Sequence, residues 1–79
     1  MMQPSDVISR AADLVAEGMH VVDALNTAAR EPGRWSYCTP YLKERIGFKG
    51  DLNAWGCTTP RIEIVGQLRR IASTMGRLS

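Results

Sequence analysis

The chain has 79 residues, 44% of them apolar and 23% charged, with a formal net charge of +2 and a sequence pI of about 8.8. That length admits one domain, residues 1–79, with a thin core, and the composition excludes a disordered chain. No apolar run approaches the roughly 20 residues that span a bilayer, and the acid-containing N-terminus lacks a secretory pattern, so a cytoplasmic protein is expected.

The first helix starts at Pro4 and Ser5, with Ser5 as N-cap and Asp6 facing the positive end of the dipole. Val7, Ile8, Ala11, Ala12, Leu14 and Val15 recur at helical spacing, and Gly18 suits a left-handed C-cap. A second helix is expected from about Met19 to Arg30, with Val21, Val22, Leu25, Ala28 and Ala29 as its stripe and Pro32 and Gly33 as its stop. Arg34 to Cys38 reads as loop. Thr39-Pro40 then opens a short helix to Ile46, ended by Gly47. A further turn or two runs from Asp51 to Trp55, capped by Asp51 and closed by Gly56.

The last helix has the clearest pattern. Thr59 caps it, Pro60 opens it, and Gly76 ends it. Ile64, Val65, Leu68, Ile71, Ala72 and Met75 form one stripe, while Glu63, Gly66, Arg70, Ser73 and Arg77 fall opposite. Gly66, costing about 1 kcal/mol in a helix interior, either permits close approach of a partner or is simply tolerated. The expected fold is therefore all-α, a compact single-domain bundle of four to five short helices. Its expected core is Val7, Ala11, Leu14, Val15, Val22, Leu25, Leu42, Ile46, Leu52, Trp55, Ile64, Val65, Leu68, Ile71 and Met75. One echo stands out: Trp35 to Pro40 and Trp55 to Pro60 each lead an aromatic and a cysteine into a Thr-Pro helix start, which packing alone explains.

Catalytic chemistry needs converging groups, and few are on offer. The single histidine, His20, would form a nucleophilic pair if Cys38 or Cys57 lay beside it with Asp23 orienting the ring, but nothing in the spacing requires this. His20 is expected exposed or edge-packed, and both cysteines are expected as buried thiols. Paired ligands at zinc spacing are missing, and Gly47 and Gly50 lack the phosphate-loop sequence. No catalytic, cofactor or metal site is expected, and the protein is expected not to be an enzyme.

Charge is unevenly spread. Residues 1–33 balance to −3 and residues 34–79 to +5. If the halves form different faces, Asp6, Asp13, Glu17 and Asp23 make an acidic partner surface, and Arg69, Arg70 and Arg77 a basic one. For any single residue, solubility is a sufficient explanation.

Residues 41–75 resemble a phage-repressor-type helix-turn-helix: Tyr41 to Phe48, then Asp51 to Trp55, then Pro60 to Ile64. That resemblance implies a DNA-binding regulator. Lys43 replaces the family's usual alanine, and the short recognition segment offers only Lys49 and Asn53 for bases. Across most of the chain, Val7 to Ala12, Trp35…Cys38…Leu42, Trp55 and Pro60-Arg61…Val65…Leu68…Ala72 resemble a family of small uncharacterised helical proteins of bacteria and phages. That family usually has Asn-Asp after the second Trp, where this chain has Gly56-Cys57. In kind, the chain also resembles phage-encoded inhibitors of host defence, the anti-CRISPR proteins. This implies binding of a host protein complex, with Cas proteins as the candidates, through a charged face in the bacterial cytoplasm. Nucleic acid is a further candidate partner, and a membrane is not.

Overall fold

Val7, Ile8, Ala11, Ala12, Leu14 and Val15 line one side of a helix, α1, that spans Pro4–Ala16 in the computed structural model. The structure describes residues 4–30, 42 and 52–78. Proline supplies a preset φ and needs no amide partner in the first turn of a helix, and Pro4 is helical. Ser5 is therefore inside the first turn and is not the N-cap expected for it.

Gly18 ends α1 as expected, and the ending decides where the next helix begins. It adopts φ +115. Its N–H bonds the Val15 carbonyl at 2.9 Å, while the Met19 N–H bonds the Leu14 carbonyl at 3.1 Å. This pair of bonds is a Schellman motif, with Met19 packed against the core beyond it. Met19 thus belongs to the cap of α1 and cannot start a helix. The second helix, α2, spans Val21–Ala29, two residues later than the expected start. It stops at Arg30, which takes the left-handed conformation (φ 63) and bonds the Thr27 carbonyl. Pro32 and Gly33, the expected stop, lie outside the described residues.

The helix expected over Pro40 to Ile46 is described only at Leu42, which is helical and fully buried. The third helix, α3, spans Leu52–Thr58 and runs straight through Gly56, which was expected to close it. The fourth, α4, spans Arg61–Leu78. The Pro60 carbonyl accepts the N–H groups of Glu63 at 3.0 Å and Ile64 at 3.1 Å, so Pro60, not Thr59, is the cap residue. Gly76 does not end α4, because a lone glycine costs a helix only about 1 kcal/mol and no proline follows it.

Helices α1 and α4 pack antiparallel. Ser5 and Ser9 share a groove with Ala72 and Ser73, and Ala16 shares a cleft with Arg61, Ile62 and Val65. Helix α2 packs on α1, and α3 on α2. Ile8, Leu25, Leu42, Leu68, Ile71, Val7 and Val21 are the largest fully buried side chains. Burying each of these contributes about 1.5–3 kcal/mol. Val22, expected in the core, is half-buried, because Val21, Ala24, Leu25 and Ala28 form the buried face of α2 and Val22 lies at its edge. Trp55 and Met75 are also half-buried and pack against the core, and Ile46 lies outside the described residues. The radius of gyration of 11.0 Å is close to the roughly 12 Å of a compact chain this long. The fold is a compact, small all-α domain, with no strand among the described residues and no helix there long and apolar enough to cross a membrane.

Candidate functional site

His20 follows directly from the reversal at Gly18. Its backbone is extended (φ −63, ψ 145), its carbonyl accepts the Ala24 N–H, and its side chain caps α2. The ring Nδ1 accepts the Val22 N–H at 3.1 Å. Histidine is not among the usual capping residues, so the sequence carried no clear signal for this role. The bond fixes the tautomer. A neutral imidazole carries one proton, and because Nδ1 is an acceptor here, that proton sits on Nε2.

Helix α3 brings Cys57 to the free nitrogen. Its Sγ lies 3.6 Å from His20 Nε2, within reach of a weak N–H donated to sulfur. Gly56 makes this possible, since a β-carbon there would stand 2.7 Å from two atoms of the His20 ring. Cys57 is exposed, contrary to the buried thiol expected, because the buried position of this short helix is taken by Leu52. Cys38 lies outside the described residues.

Nε2 already holds a proton and has no lone pair with which to accept another from the thiol. To act as a base or a metal ligand, Nε2 would have to pass its proton to Nδ1, breaking the cap on α2. Asp23 does not orient the ring, since Nδ1 is taken by the Val22 amide. Beside the pair opens a cleft of about 290 Å³ lined by Val15, Gly18, Met19, His20, Gly56, Thr59, Arg61 and Ile64. That volume is near the lower limit for small-molecule sites. Among the described residues no three His, Cys, Asp or Glu side chains converge as a metal site would require.

The charged residues singled out in the sequence lie outside this cleft. Asp6, Asp13 and Glu17 fall on one exposed stripe of α1 and its end, and Asp23 is exposed on α2. Arg69 and Arg70 are exposed on α4, and the Arg77 side chain lies outside the described residues. Arg69 Nη2 meets Asp13 Oδ1 at 3.5 Å, so the two sets touch along the seam between α1 and α4.

Ile62, which the sequence reading passed over, and Gly66, which it singled out, complete the outer face of α4. Ile62 is 84% exposed, and Gly66 has nothing within 4 Å of where its β-carbon would stand. Both share a helical face with Arg69, Arg70 and Ser73. Comparison with known protein families, with curated proteins and with solved structures finds no match for this chain.

Proposed function

We propose that this protein is a non-catalytic inhibitor of the phage anti-CRISPR kind, docking onto an acidic surface of a host Cas complex through the outer face of α4. The observation that carries this reading is the composition of that face. Ile62 is left 84% exposed beside a bare Gly66 and the exposed cations Arg69 and Arg70. Burying one isoleucine contributes about 1.5–3 kcal/mol, and a glycine lets a partner approach the helix backbone. Arg70, and Arg69 once released from its exposed contact with Asp13, select a partner surface rich in carboxylates. Proton-transfer chemistry has little support beside this, because the single histidine spends its basic nitrogen on a helix cap.

The test is a phage-restriction assay in cells with an active CRISPR system, coupled to co-purification with the defined Cas complex. Wild type should relieve restriction and bind, and Ile62→Glu or Arg70→Glu should abolish both, while Asp23→Lys on α2 should leave both intact. Failure of the wild type to relieve restriction ends the reading. Sequence-specific DNA binding that weakens steeply with salt would replace it with a transcriptional regulator.

A further inference from the structure

The outer face of α4 carries both signs of charge, in an order that complements its own reversal. Glu63, Gly66 and Arg70 are all exposed on it, with the acid before the glycine and the base after it. On a helical wheel Glu63 and Arg70 fall on one flank of Gly66, and Ile62 and Arg69 on the other. Among the described residues neither Glu63 nor Arg70 meets an oppositely charged side chain. Arg69 differs, since Asp13 holds it along the seam with α1. Gly66 faces open space.

A twofold axis at Gly66 would set each residue against the one equally far beyond the glycine, on the same flank, in a second antiparallel copy. Glu63 of each copy then meets Arg70 of the other, so the charge pair forms twice. On the opposite flank, Ile62 of each copy falls on the aliphatic stem of Arg69 of the other. The two Arg70 positions stand about 12 Å apart along the helix axis, where salt screens their repulsion. The missing β-carbon at Gly66 lets the two backbones approach where they cross. A parallel pairing has none of this, because it sets Glu63 on Glu63 and Arg70 on Arg70.

We propose that the protein forms a homodimer in which two copies pair antiparallel along α4, crossing at Gly66. One exposed isoleucine per copy and two solvent-facing charge pairs make a small interface, so the dimer is weak and concentration-dependent. It needs no host partner. It also covers the face proposed for docking, so only the monomer is free to dock.

The experiment is sedimentation equilibrium of the purified full chain, kept reduced, over a wide concentration range reaching the millimolar. Wild type should pass from monomer to dimer, and added salt should loosen the dimer. Glu63→Arg and Arg70→Glu should each weaken it about tenfold, because each sets like charges against one another twice. An equimolar mixture of the two variants separates this register from any other. In the mixed dimer both pairs are again opposite in sign, so the mixture should associate about as well as wild type. Circular dichroism checks that each variant keeps its helices. A chain that stays monomeric at every concentration would overturn the proposal, as would single variants that dimerise like wild type. So would a mixture that associates no better than either variant alone. The phage-restriction assay reads the docking proposal separately: loss of relief beside an intact dimer sinks docking alone.

Discussion

Gly56 on α3 and Val21 at the start of α2 are in such close contact that a β-carbon on the glycine would stand 2.6 Å from Val21 Cγ1. Val21 is 1% exposed and has nowhere to retreat, and the His20 ring on the same spot is tied to a backbone amide. Helix propensity pulls the other way, favouring alanine by about 1 kcal/mol. The clash should win. Gly56→Ala is expected to destabilise the protein by about 1–3 kcal/mol in urea unfolding, and a gain in stability would show that α3 and α2 are not in this contact.

Gly66 is the counterpart with the opposite sign. Nothing stands within 4 Å of its would-be β-carbon, so only propensity acts. Gly66→Ala should stabilise the chain by about 0.5–1 kcal/mol, seen as a rise in Tm. If α4 docks as proposed, the same substitution should weaken partner binding. A stabilised variant that binds as well as wild type would remove Gly66 from the interface.

His20 separates capping from ring packing. Replacing it with alanine leaves the Val22 N–H without its acceptor and should cost about 1 kcal/mol. His20→Asn restores an acceptor on a shorter side chain and should recover most of that loss. Equal damage from both variants, measured by thermal melting, would mean that the ring's packing on Gly56 matters and the cap does not.

The Asp13–Arg69 pair should be almost silent for stability. Both side chains are more than half exposed, and their contact is 3.5 Å long. A double-mutant cycle with Asp13→Asn and Arg69→Gln should give a coupling below about 0.5 kcal/mol that fades with added salt. A larger, salt-resistant coupling would show that the pair is shielded from solvent and does more than join two oppositely charged surfaces.

Much of the fold could be read from the chain because periodicity and breakers are local. Val7 to Val15 mark the buried side of α1, Gly18 reports the left-handed turn that ends it, and Ile64, Val65, Leu68 and Ile71 mark the inner side of α4. Each of these signals lies within a few residues of the feature it predicts. The start of α2 was less legible, since it turns on Met19 donating to Leu14 and leaving His20 as the cap, a histidine in a place where a short polar residue is the rule.

The candidate site was scarcely legible. Cys57 and His20 are brought together by the packing of α3 on α2, and the spacing of the two residues says nothing about that. The role of Gly56 follows from the same contact: along the chain it resembles a helix stop, and in the fold it is a space kept clear for a ring. Which helices form is written in short-range patterns of burial and backbone conformation. Which side chains meet, and on which nitrogen a proton is held, depends on distances between segments that chain order does not encode.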